Sequence, residues 1–166
     1  VVANAEAAVN AGVSCVVGTS GADLSGVGET AAAAGIPVFY APNFALGSVL
    51  ASAFAAKASR YFESVEIIEL HHPEKVDAPS GTAVRTAQLI SAERAAAGLP
   101  ASPDATTSEL AGARGCEVDG VRVHSVRLRG LVAHQEVLLG GPGEQLTLRH
   151  DSFDRASFMP GVLLGV

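Results

Sequence analysis

The sequence predicts an α/β protein in two parts: a layer of helices alternating with short apolar strands, then an α+β domain on a mixed open sheet. Helix material and apolar runs alternate over residues 1–44, a long amphipathic helix follows, and from Cys116 onward the apolar period changes to two. With 166 residues and 48% hydrophobic side chains, the chain can fill one compact core, or one domain and part of another, which excludes intrinsic disorder. Lys and Arg number 11 against 17 Asp and Glu, a formal charge of -6, so neither nucleic-acid wrapping nor a polybasic membrane patch is expected. Cys15 and Cys116 lie far apart without a CxxC partner, which suits a reducing, cytoplasmic setting and gives neither a disulfide framework nor a zinc knuckle. The apolar stretch Ala7 to Ala22 is broken by Asn10, Gly12 and Gly18 and has no basic flank, unlike a membrane span or signal peptide. The chain opens on Val1 and stops inside an apolar run, and reads as a fragment.

Val1 to Asn10 reads as a helix tail ended by Gly12, and Val13 to Val17 as a strand buried on both faces. Asp23 or Ser25 can cap a helix through Ala34, Gly35 closes it, and Ile36 to Ala41 is a second buried strand. After the Pro42-Asn43 turn, a helix joining two domains runs to about Arg60, with Val49, Leu50, Ala53, Phe54 and Ala58 as its apolar face. Val65 to Leu70 is a strand, Thr82 to about Ala97 a helix, and Gly98 to Gly115 a long loop that we read as a lid or a subunit-spanning arm. Cys116 to Val118 and Val121 to Arg129 form a hairpin about Asp119-Gly120; Val132 to Leu139 and Gln145 to His150 form a second. Alternation puts Val137 and Leu139 on one face and His134 and Glu136 on the other, and that polar face needs a ligand or another subunit.

Chemistry concentrates between the Val65–Leu70 strand and the helix after it. The run Glu69 to Ala83 holds two imidazoles (His71, His72), one ammonium (Lys75) and three carboxylates (Glu69, Glu74, Asp77). Pro73 and Pro79 restrict the backbone and lower the cost of holding these side chains in one arrangement. Ser80 and Thr82 can cap the helix, Gly81 lets a ligand approach the backbone, and free amides there would carry about half a positive charge for a carboxylate or phosphate. Either histidine can exchange a proton near neutrality; Lys75 stays charged and stabilises an anion, with Asp77 to orient it. A capped loop of solvated surface residues is the bland alternative, and the paired prolines with a small-residue helix start weigh against it.

The run His71-His72-Pro73-Glu74-Lys75-Val76-Asp77-Ala78-Pro79-Ser80-Gly81-Thr82-Ala83 resembles the signature of the 4-hydroxy-tetrahydrodipicolinate reductase (dihydrodipicolinate reductase) family, in its Pro-Glu-Lys form most similar to actinobacterial members. Val16-Val17-Gly18-Thr19-Ser20-Gly21 resembles the family's Gly-Thr-Thr-Gly loop, Ala41-Pro42-Asn43-Phe44 its nicotinamide-side loop, and Gly130 to Val137 a later family segment. The resemblance implies the last part of a Rossmann-like domain (1–44) followed by a substrate and tetramerisation domain (45–166, truncated at its C-terminus). It implies His71 as proton donor or acceptor, Lys75 as proton donor, and substrate carboxylate contacts at His72, Lys75, Ser80, Gly81 and Thr82. Cofactor contacts, to NADPH or NADH, fall on Gly18, Thr19, Ser20, Ala41, Pro42, Asn43 and Phe44. The implied reaction is hydride transfer to a ring dicarboxylate in lysine and diaminopimelate biosynthesis, by a cytoplasmic homotetramer.

Departures accompany it. Ser20 stands where the family has a second Thr, and Ala22 where an aromatic often follows. The family's GxGxxG pyrophosphate fingerprint is absent; a GxGxxA at Gly26, Gly28 and Ala31 sits inside an expected helix rather than directly after a strand. The fragment is therefore expected to bind nucleotide poorly and to be inactive alone. His124, His134 and His150 read as separate sheet histidines with no metal, Ser14-Cys15 as core, and Arg127 and Arg129 as free to reach a carboxylate or an interface. Two rivals stand beside the reductase: a non-catalytic oligomerisation module, and a dehydrogenase for another small dicarboxylate.

Overall fold

A computed structural model describes residues 1–19 and 22–166. The chain divides into two units, Val1–Leu46 with Ala156–Val166, and Gly47–Arg155.

In the first unit, α1 (Val2–Asn10) ends where Gly12 takes φ +70, so that the Gly12 and Val13 amides donate to the Val9 and Ala8 carbonyls. β1 (Cys15–Val17) follows, then α2 (Ser25–Ala34), whose start is tied by the Asp23 carboxylate accepting from the Ser25 amide at 3.0 Å and whose end is the left-handed Gly35. β2 (Val38–Tyr40) pairs parallel with β1. Ala5, Val9, Val17, Val27 and Ala31 form the core of this unit. Both strands were expected to be buried on two faces, and here the structure differs: β1 is only partly buried, and Phe39 and Tyr40 of β2 are exposed. A two-stranded sheet has too few neighbours to cover both faces. A final helix, Met159–Gly165, joins this unit through Gly161, where a Cβ would strike the Phe44 carbonyl.

In the second unit, α3 (Leu46–Ala58) leads into β3 (Ser64–His71), α4 (Gly81–Ala96), β4 (Cys116–Val118), β5 (Val121–Arg127), β6 (Ala133–Gly141) and β7 (Glu144–Ser152). The sheet order is β4-β5-β3-β6-β7, with β3 parallel to β5 and every other pair antiparallel. Asp119 (φ 48) and Gly120 (φ 81) make the tight turn between β4 and β5. Val65, Ile67, Val121, Val123, Val137 and Leu139 pack on Ala83, Ala87 and Ile90 of α4 and Ala55 and Ala56 of α3. Ile67, Ile90 and Leu139 are each 0% exposed, contributing roughly 2 kcal/mol apiece, and they anchor the strand that carries the site.

The expected apolar face of α3 is corrected. Val49, Leu50 and Phe54 are 50%, 51% and 54% exposed, while Ser48, Ser52, Ala55 and Ala56 face inward. Small side chains let the helix backbone approach its neighbours, and the Ser52 and Thr86 hydroxyls pair at 2.8 Å. The 98–115 loop is fastened to β3 of its own chain: Ser102 Oγ accepts from the Val65 amide and Arg114 pairs with Glu66. No helix of the described residues is long and apolar enough to cross a membrane.

Candidate functional site

The site grows from the end of β3. Because strand side chains alternate, Glu69 and His71 project to the same side as Val65 and Ile67, which places a carboxylate in the interior at 0% exposure. His71 Nδ1 lies 2.6 Å from Glu69 Oε2. Arg127, the last residue of β5, is in register with His71 and grips the same carboxylate bidentately, Nη1 to Oε2 at 2.9 Å and Nη2 to Oε1 at 2.8 Å. The Ser80 amide donates to Oε1 at 3.2 Å, so the carboxylate also reaches the start of α4. Burial alone would push the Glu69 carboxyl up; hydrogen bonds from His71, Arg127 and Ser125 and the Arg127 charge override it and hold it down at about 2.

A second group lies on the loop between β3 and α4. Lys75 Nζ donates to Asp77 Oδ1 at 2.6 Å, and Arg127 Nη2 donates to the Asp77 carbonyl at 2.7 Å. Lys75, Asp77, Arg127, Glu69 and His71 thus form one connected network. Partial burial works to raise the Asp77 carboxyl, but the Lys75 hydrogen bond and charge and the amides of Asp77 and Gly81 lower it on balance. His72 Nδ1 meets Glu74 Oε2 at 3.1 Å in an exposed pair. Ser80 caps α4, its Oγ accepting from the Ala83 amide at 3.2 Å, and the Thr82 carbonyl accepts from the Thr86 hydroxyl.

This corrects one expectation. The amides after Pro79 are expected from sequence to be free for an anion, yet Ser80 N donates to Glu69 Oε1 and Ala83 N is taken by Ser80 Oγ. A loop that folds without ligand satisfies its own donors. The carboxylate seated on Lys75 is likewise the protein's own, that of Asp77.

In the first unit, Gly18 and Thr19 follow β1, and Ala41, Pro42, Asn43 and Phe44 follow β2. Parallel register (Val17 opposite Tyr40) brings the two strand ends side by side, and the Ala41 amide donates to the Val17 carbonyl at 3.3 Å. A Cβ at Gly18 would sit 3.2 Å from the Phe44 ring, so glycine permits this close approach. Phe44 is buried edge-on against Phe39, and Asn43 Oδ1 accepts from the Ala45 amide at 2.8 Å. Ser20 lies outside the described residues. Gly26, Gly28 and Ala31 sit within α2 rather than on a turn leaving a strand.

The remaining histidines have separate surroundings. His124 Nε2 meets Glu66 Oε2 and His134 Nδ1 meets Asp151 Oδ1, each at 2.6 Å, while burial lowers His150. Among the described residues, no group of three or more His, Cys, Asp or Glu could hold a metal. Sequence alone gives Glu69 no role and leaves Arg127 open. The signal for Glu69 was present: a Glu two residues before a His on a strand shares its face.

A family model described as "Dihydrodipicolinate reductase, C-terminus" matches residues 47–166. The chain is 61% identical over 170 residues to the 4-hydroxy-tetrahydrodipicolinate reductase of Nocardia farcinica and 58% over 172 residues to that of Streptomyces griseus subsp. griseus. Each comparison covers 100% of this chain and 68% of the relative. A solved structure of dipicolinate-bound dihydrodipicolinate reductase from Paenisporosarcina sp. TG-14 matches with a TM-score of 0.76 at 44% identity, over 98% of this chain and 62% of that one.

Proposed function

We propose a function on one premise: this chain belongs to the dihydrodipicolinate reductase family. It is the substrate-binding portion of an NAD(P)H-dependent oxidoreductase that reduces 4-hydroxy-tetrahydrodipicolinate to tetrahydrodipicolinate in lysine and diaminopimelate biosynthesis. It works in the cytoplasm as a homotetramer. The surface assigned to the subunit contact is the second sheet face, whose Glu66, His124, His134, Glu136, Arg149 and Asp151 pair with one another within the chain.

Bound NADH or NADPH supplies the hydride. Gly18, Thr19 and Ser20 with Ala41, Pro42, Asn43 and Phe44 would hold the nicotinamide end; support comes from the adjacent carboxyl ends of β1 and β2, the usual position of a nucleotide crevice. Among the described residues the GxGxxA run provides no pyrophosphate cradle, since it is interior to α2. Nucleotide binding by this chain alone is accordingly weak and its turnover nil.

His71 transfers a proton to or from the ring, and Lys75 holds a substrate carboxylate and donates a proton. His72, Ser80, Gly81 and Thr82 complete the carboxylate contacts. The observation that carries this reading is the position of Asp77. Its carboxylate accepts from Lys75 Nζ at 2.6 Å, a group assigned to the substrate, so the place already accepts a carboxylate. A dianionic substrate exchanges with Asp77, which keeps the ammonium paired in its absence. The test joins this chain to the part of the Nocardia farcinica reductase that it does not cover and follows loss of reduced-nicotinamide absorbance with the dicarboxylate substrate. Turnover that depends on His71 and Lys75 is expected; turnover indifferent to both contradicts the reading. The position of GxGxxA within α2 favours the rival, a non-catalytic assembly module, which would oligomerise and bind neither dicarboxylate nor nucleotide.

A further inference from the structure

We propose that Glu69 is the positioning residue that fixes His71 as its Nδ1–H tautomer, so that proton transfer to the substrate runs through Nε2. The inference rests on the reading of His71 as the proton-transferring group and adds which nitrogen acts and what selects it.

The geometry settles the direction of the hydrogen bond. Glu69 Oε2 accepts from Arg127 Nη1, and Oε1 accepts from Arg127 Nη2 and the Ser80 amide. With three donors on it, the carboxylate is ionised and has no proton to offer. The 2.6 Å contact therefore carries its hydrogen on His71 Nδ1. When the ring is neutral, Nε2 holds the lone pair; when it is charged, Nε2 holds the proton that can leave. The same carboxylate binds the amide that begins the Ser80-Gly81-Thr82 turn. One buried group thereby sets the proton-transfer position and the carboxylate-binding turn relative to each other. Arg127 shares the Glu69 charge, so the carboxylate orients the imidazole without the full field of an unpaired anion beside it.

Glu69→Gln separates orientation from packing, because the amide keeps the size and two-pronged shape. Its oxygen belongs at the Oε1 position, where Arg127 Nη2 and Ser80 N both donate. Its NH2 then faces both Arg127 Nη1 and His71 Nδ1; the guanidinium has no acceptor and that prong is displaced, while the imidazole meets the amide as an acceptor, which turns the ring to the Nε2–H tautomer. The experiment reads ring-nitrogen couplings by NMR on the chain labelled with 15N-histidine, at a pH where His71 is neutral. It also measures kcat and KM of the chain joined to the uncovered part of the Nocardia farcinica relative. The expected results are Nδ1–H in the parent, Nε2–H in Glu69→Gln, and a fall in kcat of at least about tenfold with KM for the dicarboxylate within about twofold, since a reversed tautomer removes acid–base function while leaving binding groups in place.

Nε2–H in the parent would overturn the proposal, and so would an unchanged kcat in Glu69→Gln or a change confined to KM. Where Glu69→Gln does not fold, the parent tautomer alone decides. A parent that shows Nδ1–H yet reduces no dicarboxylate when joined would remove the proposed reaction and leave the orientation of His71 by Glu69 in place.

Discussion

Asp77→Asn is the most informative single change, because it tests whether the protein's own carboxylate competes with the ligand's. Asp77 Oδ1 accepts from Lys75 Nζ at 2.6 Å, with side-chain exposures of 45% and 19%. A pair this open to solvent contributes about 0.2–1 kcal/mol. The substitution keeps the shape, leaves the carbonyl that Arg127 binds, and removes the negative charge that a dianion must displace. Binding of pyridine-2,6-dicarboxylate should then tighten by roughly 1.4-fold to 5-fold, the same energy expressed as a dissociation constant. Isothermal titration calorimetry at low ionic strength resolves the upper part of that range, and the gain should shrink as salt screens the ammonium. Weaker binding in Asp77→Asn would refute the competition and mean instead that Asp77 supports the site by holding Lys75 in place.

Other consequences follow from the same geometry. His71→Gln, joined to the uncovered part of a relative, should cut kcat by about 10²–10⁴ with nucleotide affinity little changed; unchanged turnover would remove His71 from acid–base work. Because the Glu69 carboxyl is held at about 2 against an ordinary 4.5, it stabilises the fold fully above pH 4.5, and that stabilisation is lost as pH falls toward 2. Urea midpoints of the parent should decline through that window and those of Glu69→Gln should decline less, whereas equal declines would assign acid sensitivity to other groups. Gly161→Ala drives a Cβ into the Phe44 carbonyl and should cost at least about 1–3 kcal/mol in the first unit, read by hydrogen exchange of α1 and α2. Parental exchange rates there would show that the backbone yields at no cost.

Much of the fold was legible because periodicity and turn chemistry agree along the chain. Asp119-Gly120 predicts the β4–β5 turn, Gly12 and Gly35 predict helix ends, and Ser80 predicts the cap of α4; each works through a backbone preference that acts locally. The α3 face was not legible for the opposite reason. Its Val, Leu and Phe positions form an apolar stripe, but Ser52 finds a hydroxyl on α4 and small residues allow the closer approach, a choice made by the neighbouring helix. The burial expected for β1 and β2 likewise depends on strands beside them, which local sequence does not specify. At the site, the loop from His71 to Thr82 announced its chemistry through composition and resemblance. Occupation of its amides was not readable, because it depends on Glu69, at the end of β3, reaching the Ser80 amide across a turn. Arg127 lies 58 residues from Glu69, and only the parallel pairing of β3 and β5 brings them together.

The most direct measurement is a calorimetric titration of pyridine-2,6-dicarboxylate into this chain and its Lys75→Ala variant at low and high salt. Saturable binding is expected in the parent, weakened by salt, with at least about tenfold loss in Lys75→Ala, since a charge-assisted hydrogen bond contributes roughly 1.5–3 kcal/mol. No saturable binding by the parent, or equal binding by both proteins, would contradict capture of a ring dicarboxylate at the turn between β3 and α4.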